Sequence, residues 1–280
     1  MIHATVIIAA YNQENTIARA IESVLAQDPG PFSIEILIID DASTDSTPRI
    51  CREYADRCPD VVRFIKRTRN GGIVASYSQA LREAKGKYIA DCAGDDAWSD
   101  SLQLQRQISV LEQNPALVLV HAPWYEVRPD DSLTLISPMS ESCVMNGDEL
   151  IEPLITHTTP LPIHLSATLY RAETVRPYLD GTDLFNPAFG CEDIPLLCFL
   201  LSKGKIAYIN TPSLLYSIGS GTSITSDASR IRSARFTLAT IRMTVNLSRR
   251  YSITWSSIFP YLRRRTIHLV RTLLGAILPH

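Results

Sequence analysis

Three pairs of adjacent acids stand where this sequence could do chemistry: Asp40–Asp41 in "ILIIDDASTD", Asp95–Asp96 in "YIADCAGDDAW" and Glu192–Asp193 in "FGCEDIPLL". Neighbouring carboxylates repel, and burying either without a cation or a donor is costly. One way to keep such a pair is to share a divalent cation. Mg2+ and Mn2+ take few carboxylates and complete their shells with substrate phosphate oxygens. A second use is proton transfer: a carboxylate at a helix start stays ionised because the dipole favours negative charge, and so can act as a base. A blander reading stands beside each. Asp95–Asp96 could cap the following helix in solvent, and Glu192–Asp193 could be a plain charge pair at a helix start. The chain has no GxGxxG and no GxxxxGK[ST]. A diphosphate would therefore be held through carboxylates and a cation rather than in a glycine-rich backbone cradle.

The elements that must position these acids alternate. "ATVIIAAY" reads as a buried strand, and "NQENTIARAIESVLAQ" as a helix capped by Asn12 or Asn15. "IEILIID" is a second strand, followed by a helix with Thr47 as cap and Pro48 at its first position. "VVRFIKR" is a third strand, "IVASYSQALREAKG" a helix ended by Gly86, and "KYIADC" a fourth strand. Strands joined by helices of this length predict a parallel sheet that binds ligands at its strand C-terminal ends, where the acids fall. Further on, the spacing predicts a helix stopped before Pro115 and one strand in "ALVLVHAPWYEV". Residues 128–165 read as a loop with a short helix near 147–156. "LSATLYRAETV" gives a strand and turn, "EDIPLLCFLLSKG" a helix, "KIAYINTPSLLYSI" a strand pair and "GSGTSITSDAS" a polar loop.

The 280 residues, 45% hydrophobic and 20% charged, suit one large α/β domain with an appendage. Six cysteines without a CxxC pair predict reduced thiols in a cytoplasmic protein, not a disulfide framework or a zinc site. No signal peptide and no membrane-spanning run are expected from the N-terminus or any later window. The net charge of −2 hides an asymmetry. Asp227 is the last acid, and ten arginines follow it with no lysine; residues 1–227 carry 17 basic side chains against all 29 acids, a net of −12. In "SRIRSARFTLATIRMTVNLSRRY", Ile231, Leu238, Ile241 and Val245 form an apolar stripe beside Arg232, Arg235, Arg242 and Arg249. Such a helix can lie in an anionic membrane interface, each basic side chain contributing about 1 kcal/mol. The alternative is that the stripe packs on the rest of the chain. Nothing in the tail has the interleaved aromatics of a nucleic-acid binder.

Taken together and in order, "TVIIAAYNQENTIARAIESVLAQ", "EILIIDDASTDST", "ALREAKGKYIADCAGDDAW" and "GCED" resemble the family 2 glycosyltransferases. The resemblance covers roughly residues 3–225 and is densest over the first hundred. It implies the GT-A fold, a Rossmann-like α/β architecture with a mostly parallel central sheet flanked by helices. Residues 1–225 would form that domain, and residues 226–280 a basic helical tail that meets a membrane surface or packs. Ala9, Tyr11 and Glu14 would then line the nucleotide site, Asp41 would meet the base and Asp95 the ribose or diphosphate. Asp96 would bind Mn2+ or Mg2+, with Trp98 the aromatic that follows. Asp193 would be the catalytic base and Glu192 its acidic neighbour.

The implied reaction is metal-dependent, inverting transfer from a nucleoside-diphosphate sugar, by family habit a UDP-sugar, to a hydroxyl of a glycan or lipid-linked acceptor. The implied setting is bacterial-type surface polysaccharide synthesis on the cytoplasmic face of the membrane, without nucleic acid. The alternatives are a nucleotidyltransferase making nucleotide sugars and a non-catalytic sugar-binding module. Three positions depart from the family: Ala93 replaces a frequent acid two residues before the Asp pair, and Ser217 and Gly219 stand where many members carry Arg and His. His157 and His164, flanking "TTPLP", could touch acceptor or diphosphate but more often such residues bond nearby backbone. Cys191 reads as packing, and removal of the tail after Asp227 is expected to leave the chemistry intact.

Overall fold

The computed structural model describes residues 2–158, 162–180, 183–218 and 230–277. The first half runs β1 (Ala4–Ala10), α1 (Ile17–Leu25), β2 (Ile34–Asp40), α2 (Thr47–Arg57), β3 (Val62–Lys66), α3 (Ile73–Glu83), β4 (Tyr88–Asp91), β5 (Ala97–Trp98) and α4 (Gln103–Gln113). The second runs β6 (Leu117–His121), β7 (Trp124–Val127), β8 (Leu133–Ile136), β9 (Cys143–Asn146), α5 (Ile151–Ile155), β10 (Thr168–Arg171), α6 (Ala172–Val175), α7 (Asp193–Leu201), β11 (Lys205–Tyr208), β12 (Leu214–Ser217), α8 (Arg230–Arg250) and α9 (Trp255–Ile277).

Eight strands form the central sheet in the order β3-β2-β1-β4-β10-β6-β11-β9. The block β3-β2-β1-β4 is parallel, whereas β10 runs antiparallel to both β4 and β6. The sheet is therefore mixed beyond β4. Strand residues alternate between two cores, as the period of two requires. Ile7, Leu37, Ile39 and Ile89 face α3, α5, α7, α8 and α9. Val6, Ile8, Ile36 and Ile38 face α1, α2 and α4. The order of the chain reverses at β1, which has β2 on one side and β4 on the other. The crevice at such a switch point opens at the strand C-terminal ends.

Local details depart from the sequence reading for physical reasons. Neither Asn12 nor Asn15 caps α1, whose N-cap is Thr16. Asn12 instead accepts a hydrogen bond from the Thr44 amide at 2.9 Å. Thr47 lies inside α2 rather than capping it, and its hydroxyl oxygen accepts from the Gln13 amide at 2.7 Å. These polar side chains tie the loop after β1 to the loop after β2. Gly86 does not end α3, which stops at Glu83. It is a close-approach position where a Cβ would collide with the Thr5 amide nitrogen and the Tyr88 carbonyl. "ALVLVHAPWYEV" is two strands in different sheets, because β7 joins a second sheet ordered β5-β12-β7-β8. β11 and β12 likewise part company. Residues 128–165 contain strands β8 and β9 in addition to the short helix. The loop at 219–229 lies outside the described residues.

The basic tail is where the fold departs most from expectation. Ile231 is 65% exposed and Leu238 is also exposed, while Ala234, Thr237, Thr240, Met243, Thr244, Leu247 and Ser248 form the buried face of α8. Small residues and hydroxyls let the helix approach closely. Arg265 of α9 donates to Thr240 at 2.9 Å, and the Thr240 hydroxyl donates to the Thr237 carbonyl. Met243 and Leu247 of α8, and Ile258 and Leu262 of α9, are buried in the core that covers one face of the central sheet. Burying each such side chain contributes roughly 1.5–3 kcal/mol. That exceeds the roughly 1 kcal/mol an arginine gains at an anionic surface. The tail is thus part of the packed core, and cutting the chain after Asp227 would expose that core rather than leave an intact unit.

Candidate active site

The strand ends of β1, β2 and β4 open into a cavity of about 440 Å3. Its wall carries Ala9, Tyr11, Asp41, Asp95, Glu192 and Asp193. Asn70 and Gly72 also line it, as do Tyr216 of β12 and Phe236 of α8. A larger and more open hollow of about 810 Å3 lies between α4 and strands β9 and β11, and no carboxylate lines it. The convergence of ionisable groups therefore marks the smaller cavity as the site.

Each acid is placed by its neighbours. Asp40 closes its own loop, accepting from the amide and the hydroxyl of Ser43. Asp41 turns into the cavity. Its carboxylate accepts from the Gly71 amide at 3.0 Å, from the Gly72 amide at 2.7 Å and from the Arg67 guanidinium. Arg67 also donates to Ser76 at 3.0 Å. Nothing in "FIKRTRN" distinguishes this arginine from solvated ones, so it could not be found from sequence. Glu14 is not brought to the wall: it stands exposed, its carboxylate accepting from the Ser46 amide at 2.9 Å.

Asp95 lines the cavity, and its carbonyl accepts from Arg19 of α1 at 2.7 Å. Asp96 lies beneath the wall, almost fully buried. Its Oδ1 accepts from the Ser217 amide at 3.1 Å, and its Oδ2 is buried without a hydrogen-bond partner. Burial, and then the Asp95 charge, push the Asp96 carboxyl well above the usual range. Arg19 also donates to the Ser217 hydroxyl at 2.8 Å. Among the described residues no cluster of three or more His, Cys, Asp or Glu is placed to cage a metal alone. Two adjacent carboxylates, one in the wall and one with an orphaned oxygen, nonetheless fit a hard cation shared with substrate phosphate oxygens. Trp98 is buried and donates to the Ser166 carbonyl at 3.0 Å, so it braces this loop from behind.

At the other end of the cavity, Gly190 takes φ of 76°. Glu192 then caps α7, and Asp193 opens it, its Oδ1 accepting from the Ile194 amide at 2.7 Å. Burial, and then the charges of Asp193 and Asp91, drive the Glu192 carboxyl well above its ordinary value. Asp91, at the end of β4, is a third acid in this group that the sequence reading passed over. It is buried, its Oδ2 has no hydrogen-bond partner, and it is raised to about 7, chiefly by burial. The Tyr77 hydroxyl meets the Tyr170 hydroxyl at 3.1 Å. Glu192 thus favours its protonated form, and Asp91 changes protonation near neutral pH.

Neither histidine lines the cavity. His157 stacks on Tyr261 of α9 at 4.3 Å, and His164 packs against Trp124 and Tyr216. Cys191 lies in the wall, 3.4 Å from the Met243 sulfur, with its thiol pushed well up by burial. All six cysteines are unbonded.

Residues 5–158 match the family model described as Glycosyl transferase family 2, more than half of the chain. The chain is similar to the succinoglycan biosynthesis protein ExoO of Rhizobium meliloti, 31% identical over 169 residues, or 60% of this chain and 44% of that protein. It spans less than half of the length of the curated relatives it matches. In fold it is similar to residues 1–349 of TarS from S. aureus, solved with UDP-GlcNAc, at a TM-score of 0.69 and 17% identity, covering 100% of this chain and 76% of that one. It is also similar to the mannosyltransferase PcManGT of Pyrobaculum calidifontis, solved with GDP-Man and Mn2+, at 0.57 and 17%, covering 99% and 76%. These likenesses show a GT-A-type fold.

Asp91 has a measurable consequence. Its folded value of about 7 lies above the 3.8 of an ordinary aspartate, so the folded chain keeps a proton that the unfolded chain releases. The stability this contributes is full below about pH 4 and is lost as pH rises through about 7. Asp91→Asn removes that loss. Its melting temperature relative to wild type is expected to be higher at pH 8 than at pH 5; a difference that does not change between the two would show that Asp91 is not proton-linked.

Proposed function

The chain belongs to glycosyl transferase family 2, and from that premise and the cleft we propose that it transfers a sugar from a nucleoside-diphosphate sugar to an acceptor hydroxyl. The observation that carries the reading is that Asp41, Asp95, Glu192 and Asp193 share one cavity. We take the nucleotide to be UDP, as in the TarS complex. Its base lies at the Tyr11 end, against Asp41, which Arg67 and the Gly71 and Gly72 amides hold in place. Asp95 and Asp96 would hold Mg2+ or Mn2+ beside the diphosphate. When bound, the cation supplies Lewis-acid stabilisation of the leaving group. Asp193 takes the proton of the acceptor hydroxyl as that oxygen attacks the anomeric carbon and the bond to the diphosphate breaks. A single displacement of this kind inverts the anomeric centre. Glu192, holding its own proton, leaves Asp193 as the accepting carboxylate.

The acceptor in this reading is a glycan or a lipid-linked saccharide of a surface polysaccharide, handled at the cytoplasmic face of the membrane. ExoO, a succinoglycan biosynthesis protein, supports the first half. The outer face of α9 supports the second. Trp255 is 62% exposed, and Phe259, Val270 and Leu273 are exposed too. At 3.6 residues per turn these four fall within an arc of about 60°. Exposed Arg263 borders it on one side, and exposed Arg271 and Arg264 stand about 100–120° farther round the helix. An apolar stripe edged by arginines lies naturally in an anionic interface, its apolar side chains in the acyl boundary. Of the two parts of the basic tail in which the sequence suggests a membrane surface, the α8 stripe and "YLRRRTIHLVRTLLGAILPH", the membrane face is then the second, α9. Among the described residues no helix is long and apolar enough to cross a membrane.

Two outcomes are expected. Asp193→Asn should lose at least two orders of magnitude in transfer, within the ~10²–10⁴ typical of a general base, while calorimetry finds UDP affinity unchanged. Glu192→Gln, which mimics the protonated acid, should lose less. Near-normal transfer by Asp193→Asn would assign the base elsewhere. For the membrane face, the double variant Trp255→Ser, Phe259→Ser should co-sediment with phosphatidylglycerol vesicles at least tenfold less than wild type. Equal sedimentation would remove α9 from the interface.

A further inference from the structure

Helix α8 reaches the cleft as well as the core. Phe236 lines the cavity beside Cys191, Glu192 and Asp193. Its ring is half-buried, neither sealed in the core nor free in solvent. The placement is fixed from two sides. Behind it, the next residue, Thr237, and Thr240 one turn on are buried against Arg265 of α9. In front, α8 rests on the left-handed turn at Gly190, so closely that a Cβ there would stand 3.1 Å from the Ala239 Cβ and 3.6 Å from the Phe236 ring. A side chain at residue 190 would press on Ala239 and the ring as well as strain the backbone, whose φ is 76°. The turn that aims Glu192 and Asp193 and the helix that carries Phe236 are therefore one packed unit.

The cavity is lined by two groups of elements. Tyr11 and Asp41 follow β1 and β2 and Gly72 precedes α3, whereas Glu192 and Asp193 begin α7 and Phe236 comes from α8. A carboxylate that removes the acceptor's proton must touch the acceptor, and the Phe236 ring lines the same cavity and lies against the turn three residues before that carboxylate, where it can meet the acceptor. Phenylalanine offers that molecule no hydrogen bond. It offers a flat face carrying the negative part of its quadrupole. A pyranose ring has a matching surface, a patch of axial C–H groups made electron-poor by the ring oxygens. Open-chain polyols and short hydroxylated side chains present no such rigid patch.

Building on the transfer reading above, we propose that Phe236 is a specificity-determining residue that stacks on the pyranose ring of a saccharide acceptor. The residue lies outside the 5–158 segment that matches the family model. The acceptor specificity of this chain would thus be written partly in its C-terminal helix.

The test uses the full chain, UDP-sugar donors with Mn2+, a panel of octyl pyranosides as acceptors and glycerol as the non-cyclic control. Donor hydrolysis by water and UDP affinity by calorimetry are read alongside. Phe236→Ala is expected to raise the KM for the pyranoside at least tenfold, with UDP affinity and donor hydrolysis within twofold of wild type. Phe236→Trp should keep the wild-type KM, and Phe236→Leu, which restores bulk without a π face, should not. An unchanged KM in Phe236→Ala overturns the proposal, as does full rescue by Phe236→Leu, which would make the residue mere packing. Wild-type transfer to glycerol but to no pyranoside also overturns it. Absence of any transfer or donor hydrolysis by wild type would instead defeat the transfer reading itself, and this proposal with it.

Discussion

Carboxylates crowded at one edge of a parallel sheet set the terms for the rest of this molecule. Asp40, Asp41, Asp91, Asp95, Asp96, Glu192 and Asp193 all lie at strand ends or at the start of one helix, around a single crevice. Their mutual repulsion has to be met locally, and it is met in different ways. Asp40 is satisfied by Ser43, and Asp41 by Arg67 and two backbone amides. Glu192 favours its protonated form, and Asp91 is raised to about 7. Asp193 sits where the first turn of α7 offers it an amide. The Oδ2 atoms of Asp91 and Asp96 are both buried without a hydrogen-bond partner, and of the two Asp96 stands next to an acid of the cavity wall, Asp95. In the proposed function a cation arriving with the substrate completes that balance, which would couple nucleotide binding to metal.

Much of this was legible in the residues because the strands are so apolar. A run such as "IEILIID" can be little other than a buried strand, and an acid at its end must face the crevice or be paid for by a specific partner. That logic brings Asp41 and Asp95 to one cavity without coordinates; Glu192 and Asp193, at a helix start, were assigned to it by the family resemblance. Neither could tell which member of a pair turns inward, since that depends on partners far away in sequence. Asp96 points down to the amide of Ser217, and Glu14 points aside to that of Ser46. Arg67 and Asp91 were invisible for the same reason: their neighbours come from other elements. Strands β6 and β7 read as one because an apolar run carries no mark of where it changes sheet. The buried face of α8 was only partly legible because Thr, Ser and Ala build much of it beside Met243 and Leu247. Of the apolar stripe read from the sequence, Ile241 and Val245 pack against the core, whereas Ile231 and Leu238 are exposed.

The departures from the family pattern acquire a local meaning. Ser217, at a position where many members have Arg, donates its amide to Asp96 and receives Arg19 from α1. A guanidinium therefore stands beside the Asp95–Asp96 loop although it comes from another part of the chain. Gly219, at the position of the missing histidine, lies outside the described residues. The C-terminal helices close the arrangement. They cover one face of the sheet, support the turn before Glu192 and Asp193, and leave large apolar side chains of α9 exposed.

The central claim is that the Asp95–Asp96 pair needs a cation to accept a diphosphate. Calorimetric titration of UDP into the full chain, once with Mn2+ and once with EDTA, tests it without depending on the sugar or the acceptor. The account predicts binding with Mn2+, at least a tenfold loss of affinity in EDTA, and a comparable loss in Asp96→Asn with Mn2+ present while its melting temperature stays within a few degrees of wild type. Equal UDP affinity in Mn2+ and EDTA would contradict it.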